Sequence, residues 1–180
     1  MDDPWLLQRS ELVHDAGIFR LSTDHYQYLG EPTHPYYVLE APDWVNIVAI
    51  TPSDQLVLVR QYRHGIRGSS LEIPGGMVDP GDSGPGAAAV RELREETGYQ
   101  GHVALPLLVV TSNPAILTNR THSFVTLDAI PFSAPDPDEH EDVEVVLESL
   151  DRVPELIARG EIHHSLSVAA LSCYLLQRHA

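Results

Sequence analysis

Three glutamates in residues 91–98 have the types and spacing needed to bind a divalent cation. Glu92, Glu95 and Glu96 stand at positions i, i+3 and i+4, which share one face of an α-helix. Carboxylates this close repel one another unless a cation offsets their charge, and hard oxygen ligands suit Mg²⁺ or Mn²⁺. An isolated run of this kind is more often a solvated acidic face, or a set of ion pairs such as Arg91 with Glu95.

The loop before this helix favours the metal site. Residues 75–86 are dense in glycine, proline and aspartate, and Gly98 ends the predicted helix abruptly. A glycine-rich loop followed by a helix wraps backbone around a metal-phosphate site. The leading hypothesis is therefore metal-assisted chemistry on a phosphate compound.

The same segment resembles the signature of the Nudix hydrolases: Gly, five residues, Glu, seven residues, then Arg-Glu-aliphatic-x-Glu-Glu-x-Gly-aliphatic. This chain supplies Gly76, then Asp82 where the family has glutamate, and an intact second half at residues 91–99. Asp82 is one methylene shorter than glutamate, and eight residues rather than seven separate it from Arg91. In the family this acidic residue braces the loop against the helix arginine, so both departures concern the geometry of the loop.

The resemblance implies a role for each residue of the motif. Glu92 and Glu96 would be metal ligands, and the backbone carbonyl of Gly75 would complete the site. Arg91 would orient the glutamates. Glu95 would be a further ligand or a close support, with an ion pair to Arg91 as the equally weighted alternative. The implied cofactor is Mg²⁺, with Mn²⁺ as a substitute.

Residues 59–64, Val-Arg-Gln-Tyr-Arg-His, look like the ADP-ribose and nucleoside diphosphate sugar pyrophosphatase branch of this family. That branch carries Gln-Tyr-Arg here, with Glu and Pro just before the glycine loop. An arginine at a strand end can bind a pyrophosphate oxygen bidentately. Arg63 is the first candidate, and Arg60 and Arg67 are further candidates or ordinary surface charges. Glu72 would hydrogen-bond the substrate or support the metal cluster, or be a strand-edge charge.

The acidic loop at residues 134–142 resembles a loop that folds over the site in this branch and supplies a glutamate base and a metal ligand. By position, Glu139 matches the base and Glu141 the ligand. The alternative is a solvated acidic turn. His140 is a rival base because its ordinary pKa suits neutral pH, and Glu95 is another.

Residues 112–120 bear on the choice of substrate. Pro114 lies about as far past the signature as the proline typical of ADP-ribose pyrophosphatases. Together with Asn113, Asn119 and Arg120, however, the loop looks closer to that of members acting on a wider set of nucleoside diphosphate sugars, such as GDP-mannose. The base and the sugar therefore stay open.

Several residues outside the motif have two interpretations. Aromatic side chains could stack on a nucleotide base, although core packing is the commoner role. The candidates are Trp5, Phe19, Tyr26, Tyr28 and Trp44. His163 and His164 precede a predicted helix and are interpreted as surface or capping residues.

Composition excludes several classes of function. The formal net charge of −15 has the wrong sign for a protein that neutralises nucleic-acid phosphates. The first residues do not resemble a signal peptide, and the apolar runs are too short to span a membrane. The single cysteine, Cys173, lies in an apolar run that predicts a packed helix, so a cytoplasmic location fits best.

The order of elements predicts an α/β fold, a Nudix-type α/β/α sandwich around a mixed sheet. We expect a β meander at residues 1–40, acting as a dimerisation arm of a homodimer, and the hydrolase domain at residues 41–180. Strands are expected near residues 17–21, 36–40, 46–50, 55–62, 71–73, 103–110, 122–128 and 143–148, and helices near 85–97, 152–159 and 165–178.

The resemblance implies Mg²⁺-dependent hydrolysis of the pyrophosphate bond of ADP-ribose or a related nucleoside diphosphate sugar, giving a nucleoside monophosphate and a sugar phosphate. The partner is thus a small nucleotide sugar. A nucleoside triphosphate pyrophosphohydrolase is the rival enzyme. Two alternative hypotheses involve no catalysis. A nucleotide-sugar sensor would be favoured by loss of the signature glutamates, but all three are present. A Ca²⁺-binding domain would need a loop like that of an EF-hand, which the chain lacks.

Overall fold

The computed structural model describes residues 4–136 and 142–178. Its strands are β1 (Trp5–Asp15), β2 (Arg20–Tyr28), β3 (His34–Glu40), β4 (Trp44–Ile50), β5 (Gln55–Arg63), β6 (Gly68–Glu72), β7 (Gly75–Met77), β8 (Tyr99–Gln100), β9 (Leu105–Thr111), β10 (Arg120–Thr126), β11 (Ile130–Pro131) and β12 (Val143–Ser149). The helices are α1 (Pro85–Thr97), α2 (Val153–Ala158) and α3 (Ser165–Arg178), with a 3₁₀ turn at Leu150–Arg152.

The chain divides into two compact units. One unit runs up to Pro42 and includes Thr111–Arg120; the other comprises Asp43–Val110 and the chain from Thr121 onward. The predicted boundary between residues 40 and 41 falls close to the first of these divisions. The role of the first unit as a dimerisation arm stays a prediction.

The first unit contains an antiparallel sheet in the order β1-β2-β3. Strand β1 is exposed along its whole length, whereas Ser22 and Asp24 of the central strand β2 are buried. The expected strand at residues 17–21 is wrong in its first part. Gly17 adopts a positive φ of 81°, and the N–H of Ala16 bonds to the carbonyl of Phe19, so these residues form the turn before β2.

The second unit is built on a seven-stranded sheet with the path β12-β5-β4-β10-β9, in which β6 pairs with β5 and β7 with β4. Strand β10 is parallel to β4, and β5 is antiparallel to β4. The sheet is therefore mixed, as predicted. The hairpin of β4 and β5 follows from two β-branched apolar runs joined by the turn at residues 51–54.

Apolar side chains cover both faces of this sheet. Val48, Leu56 and Leu58 pack with residues of α2 and α3 on one side. Ile47, Ala49 and Val57 pack with α1 on the other. These two clusters establish the expected α/β/α sandwich, because alternate residues of a strand point to opposite faces. None of the helices in the described part of the chain has the length and apolar character needed to cross a bilayer.

Helix α1 begins and ends where the sequence predicts. Pro85 occupies the first turn, where its missing N–H costs nothing, and Gly84 precedes it as the cap. Gly98 ends the helix in the left-handed conformation, with φ of 71°, and its N–H bonds to the carbonyl of Arg94. The predicted helix at the C-terminus matches α3, and Cys173 lies half-buried within it.

Candidate active site

Arg91 on α1 is the centre of the acidic cluster. Its Nη1 donates to Glu95 Oε2 at 2.8 Å and to Glu92 Oε1 at 3.0 Å. Its Nη2 donates to the carbonyl of Met77 at 3.0 Å. One guanidinium therefore links the helix to the glycine-rich loop and holds two of the three signature glutamates. The orienting role that the family resemblance implies for Arg91 stays a prediction.

Asp82 joins the same guanidinium from the loop. Arg91 donates from Nε to Oδ1 at 3.2 Å and from Nη2 to Oδ2 at 3.0 Å, and the backbone N–H of Asp79 donates to Oδ2 at 2.9 Å. The hydrogen bonds from Arg91 lower the pKa of Asp82, and those to Asp82 raise the pKa of Arg91. Both groups therefore stay charged at neutral pH, and the loop is fastened to α1.

The other two glutamates of the face, Glu92 and Glu96, reach the short strand β7. Glu96 is only 3% exposed and accepts a hydrogen bond from the N–H of Gly75 at 3.0 Å. A side chain at Gly76 would collide with the carboxylate of Glu92, and one at Gly75 with the carbonyl of Val45. At Gly75 the obstacle includes backbone, so glycine is required there, whereas a side chain at Gly76 would displace the carboxylate of Glu92 from its present position.

Glu95 lies at the outer side of the helix face. Its side chain is 36% exposed, against 15% for Glu92. The described contact of its carboxylate is the ion pair with Arg91, four residues earlier on the helix. Both sequence interpretations of Glu95 thus stay open, and the ion pair is the one present in the structure.

The oxygen atoms of this cluster are of the kind that bind a divalent cation. Glu92 and Glu96 bring carboxylate oxygens to the backbone of Gly75 and Gly76, and hard oxygen donors suit Mg²⁺. In residues 4–136 and 142–178, no group of three or more His, Cys, Asp or Glu side chains is arranged as a complete metal-binding cluster. Glu141, the further ligand implied by the resemblance, lies outside these residues.

Arg63 and Glu72 form a bidentate ion pair at the ends of β5 and β6. Nε of Arg63 donates to Oε1 at 3.0 Å and Nη2 to Oε2 at 2.8 Å. Glu72 is 1% exposed, whereas the Arg63 side chain is 42% exposed. Glu72, the last residue of β6, is therefore a buried and paired charge, and its role toward substrate or metal stays a prediction. Arg63 reaches solvent while its guanidinium is oriented by a buried carboxylate.

The structure does not bring Arg60 and Arg67 to the Arg63 pair. Arg60 forms an exposed ion pair with Glu144 of β12 at 3.3 Å. Its position in β5 puts it on the opposite face of the sheet from Arg63, since side chains alternate along a strand and the two positions differ by an odd number. Arg67 lies in the exposed turn before β6, with a positive φ of 52°.

The remaining catalytic candidates of the acidic loop, Glu139 and His140, also lie outside the described residues. The loop approaches α1 from its C-terminal side: the N–H of Asp136 bonds to the carbonyl of Glu95 at 2.8 Å. The last described residue before the gap is thus anchored to the motif helix. The roles of Glu139, Glu141 and His140 stay predictions.

Three of the aromatic candidates lie together in the first unit. Trp5 contacts Tyr28 and Tyr36 with ring centroids 4.6 and 5.8 Å apart, and Tyr26 contacts Tyr36 at 5.9 Å. Sequence reasoning did not select Tyr36, although it stands opposite Asp24 across β2 and β3. Phe19 lies in the turn before β2 and is not part of this cluster.

The loop between β9 and β10 uses its polar residues for structure. Asn119 is 2% exposed, and its Nδ2 donates to the carbonyl of Pro42 at 3.0 Å. The N–H of Leu39 bonds to the carbonyl of Ile116 at 2.7 Å. The loop is therefore tied to the end of β3 within the first unit.

Sequence reasoning missed the contact of His164 with Glu72. Its Nδ1 lies 3.0 Å from Glu72 Oε2 and 3.0 Å from Ser167 Oγ. The interpretation of His164 as a surface or capping residue is therefore incomplete. Since His164 and Glu72 are far apart along the chain, local pattern carried no signal for this contact.

Comparison with known proteins identifies the family. The NUDIX domain model matches residues 42–169. The chain is 28% identical over 170 residues to the methanol dehydrogenase activator of Bacillus methanolicus, covering 94% of this chain and 91% of that protein. It is 27% identical over 164 residues to the ADP-ribose pyrophosphatase of Mycobacterium tuberculosis, covering 90% and 79%. A crystal structure of an ADP compounds hydrolase matches with a TM-score of 0.85 and 25% identity, covering 97% and 94%.

The domain match covers the signature, and the solved structure matches nearly the whole fold, so the resemblance seen in the motif and the predicted α/β fold are both confirmed. The chain therefore belongs to the Nudix family, within its ADP-ribose pyrophosphatase branch.

Proposed function

We propose that this Nudix hydrolase uses Mg²⁺ to cleave the pyrophosphate bond of ADP-ribose or a related nucleoside diphosphate sugar. The observation that carries the proposal is the meeting of Glu92 and Glu96 with the glycine backbone of Gly75 and Gly76. Relatives named for ADP-ribose and ADP-compound hydrolysis support the choice of substrate.

The residues assigned to the cation are Glu92, Glu96 and the carbonyl of Gly75, with Glu141 and Glu95 as further ligands. When bound, the ion supplies positive charge against the phosphate oxygens and lowers the pKa of water. Arg91 orients Glu92 and Glu95 through Nη1, so the glutamates are positioned before any ligand arrives.

The reaction is attack of a water oxygen on one phosphorus while the bridging P–O bond breaks. Glu139 takes the water proton, with Glu95 or His140 as rival bases. Arg63 is assigned to a pyrophosphate oxygen, and its orientation by Glu72 supports that assignment. With ADP-ribose the products are AMP and ribose 5-phosphate.

The sugar and base are open within the class. ADP-ribose is the first substrate because a relative covering 90% of the chain carries that activity in its name. GDP-mannose is the second, because residues 112–120 differ from the loop typical of ADP-ribose pyrophosphatases. Asn119 is occupied by the carbonyl of Pro42, which weakens the argument from that residue.

We also propose a homodimer in the cytoplasm. Strand β1 has large apolar side chains exposed to solvent, among them Leu6 (58% exposed), Leu12 (60% exposed) and Val13 (56% exposed). Exposed apolar patches often mark interaction surfaces. A second copy of the chain is the occupant proposed for this surface. Sedimentation of the wild type and of Leu12→Glu would test it, because a charge there should shift a dimer to monomer.

The first experiment is a substrate panel with Mg²⁺: ADP-ribose, GDP-mannose, UDP-glucose, NADH, diadenosine polyphosphates and 8-oxo-dGTP. It is run with the wild type and with Glu96→Gln. Release of nucleoside monophosphate and sugar phosphate, abolished by Glu96→Gln, supports the proposal. Cleavage of triphosphates alone would instead favour a nucleoside triphosphate pyrophosphohydrolase. Binding of a nucleotide sugar with no cleavage would favour a sensor.

A further inference from the structure

The first turn of α3 contacts the residues that lead into the glycine-rich loop. His164, immediately before the helix, places Nδ1 3.0 Å from Oε2 of Glu72. Glu72 is 1% exposed, so its charge is removed from water. A buried carboxylate persists as a charged group only where hydrogen-bond donors replace the lost solvent. Arg63 supplies two of these donors, and His164 supplies another.

A second contact from the same turn fixes the backbone next to Glu72. Ser167 is fully buried, and its Oγ accepts a hydrogen bond from the N–H of Ile73 at 3.2 Å. The same Oγ lies 3.0 Å from Nδ1 of His164. One helical turn therefore holds both the side chain of Glu72 and the backbone of the following residue.

A third contact reaches the strand opposite Gly75. The carbonyl of Leu166 accepts a hydrogen bond from Nδ2 of Asn46 at 3.4 Å, and Asn46 pairs with Gly75 across β4 and β7. The start of α3 thus contacts Ile73, two residues before Gly75, and Asn46, the residue opposite Gly75 on β4. It does so from a segment well separated in sequence from the Nudix signature.

We propose that His164 is a positioning residue that fixes Glu72 and, through Glu72, the guanidinium of Arg63 for the phosphates of the substrate. This inference rests on the proposed function, because it assumes that Arg63 binds the substrate. His164 lies against Oε2, the same oxygen that accepts Nη2 of Arg63. Losing the imidazole frees that carboxylate to rotate and to carry Arg63 with it.

The expected effect is on substrate binding more than on turnover. Arg63 still covers both oxygens of Glu72 after His164→Ala, so the fold keeps a partner for the buried charge. We expect KM for the nucleotide sugar to rise about fivefold or more with kcat within about twofold of wild type, because lost positioning of a phosphate contact weakens binding first. His164→Asn should recover most of this, since its amide can donate from near the place of Nδ1.

The closing experiment is a double-mutant cycle on KM. It compares wild type, His164→Ala, Glu72→Gln and the double variant, with His163→Ala as the matched control from an exposed neighbouring histidine. If His164 acts through Glu72, its removal from the Glu72→Gln background should change KM by less than about twofold. Thermal melting of each variant shows that it is folded, and His164→Leu, which keeps bulk at this position but cannot donate a hydrogen bond, replaces His164→Ala if the latter is not.

The outcomes separate the two proposals. The positioning role is overturned if the wild type is active and His164→Ala leaves KM unchanged. It is also overturned if His164→Ala raises KM as much in the Glu72→Gln background as in the wild type. In both cases the proposed hydrolase activity stands. A wild type that cleaves no pyrophosphate in the panel overturns the proposed function, and the positioning role falls with it. The inference is supported if His164→Ala raises KM only when Glu72 is present, and if His164→Asn has a KM close to that of the wild type.

Discussion

Asp82 and Arg91 are joined by two parallel hydrogen bonds, Nε to Oδ1 at 3.2 Å and Nη2 to Oδ2 at 3.0 Å. In the Nudix signature the position of Asp82 belongs to glutamate, one methylene longer, with seven residues before the arginine instead of eight. The contact forms here despite both departures. We infer that the extra residue in the loop offsets the shorter side chain.

The first prediction concerns this brace. Asp82→Ala should lower the free energy of unfolding by about 1–3 kcal/mol, because it removes charge-assisted hydrogen bonds from a side chain that is only 9% exposed. Urea denaturation at neutral pH measures this change. We also expect activity to fall, since the guanidinium of Arg91 orients Glu92 and Glu95.

Asp79 provides the control for Asp82. It approaches the same Nη2 of Arg91 at 3.4 Å, but its side chain is 57% exposed. An exposed ion pair contributes at most about 1 kcal/mol, so Asp79→Ala should be the milder variant. Equal losses in the two variants would contradict the brace and point to the charge of the loop as a whole.

The second prediction is that the buried Glu96 matters more for activity than the more exposed Glu95. Glu96→Gln should reduce kcat by on the order of 100-fold, because it removes a negative charge from the oxygen donors assigned to the cation. Glutamine can still accept the hydrogen bond from Gly75, so the melting temperature should be kept. Calorimetric titration with Mg²⁺ should show weakened binding.

Glu95→Gln is the matched comparison on the same helix face. Because Glu95 is 36% exposed and paired with Arg91, its substitution should cost clearly less activity than Glu96→Gln. Equal losses of Mg²⁺ affinity in the two variants would instead make Glu95 a metal ligand of equal weight.

The sequence predicted the parts of the site that depend on local spacing. The positions of Glu92, Glu95 and Glu96 share a helix face because of the helical period, and Gly84, Pro85 and Gly98 mark the ends of that helix. Each of these signals lies within a few residues of its consequence. Helix α1 and its acidic face could therefore be predicted directly.

The contacts that sequence reasoning missed are long-range. Whether Arg63 faces solvent or a buried carboxylate depends on how β5 pairs with β6, which places Ser70 opposite Gln61 and Glu72 opposite Val59. The contact of His164 depends on how α3 docks on the sheet. Strand β1 was missed because it is exposed throughout and shows no simple alternation of apolar and polar residues.

The third prediction concerns stability at acid pH. Burial alone would raise the pKa of Glu72, but hydrogen bonds from His164 and Arg63 hold it well below its usual range. A carboxyl whose folded pKa is depressed stabilises the fold above its unfolded pKa of about 4.3, and that contribution is lost as the pH falls further. Glu72→Gln should therefore be less stable than wild type at pH 7.

Urea denaturation between pH 7 and pH 3 checks this expectation. The difference in unfolding free energy between the wild type and Glu72→Gln should be constant down to about pH 5 and shrink below about pH 4, because protonation of Glu72 then accompanies unfolding of the wild type. A difference that stays constant through this range would show that Glu72 is not held as a charged group in the fold.

The fourth prediction sets Arg63 against Arg60 on the same strand. Arg63→Lys keeps the positive charge but loses the planar fork that pairs with Glu72, so KM should rise by about tenfold or more if this guanidinium contacts the pyrophosphate. Arg60→Lys should change KM by less than about twofold, because its partner is the exposed Glu144 on the other face of the sheet. Steady-state kinetics on the best substrate of the panel measures both. A larger effect at Arg60 would mean that the pyrophosphate lies on the face of the sheet that carries Arg60 and Glu144. The assignment of Arg63 would then have to be abandoned.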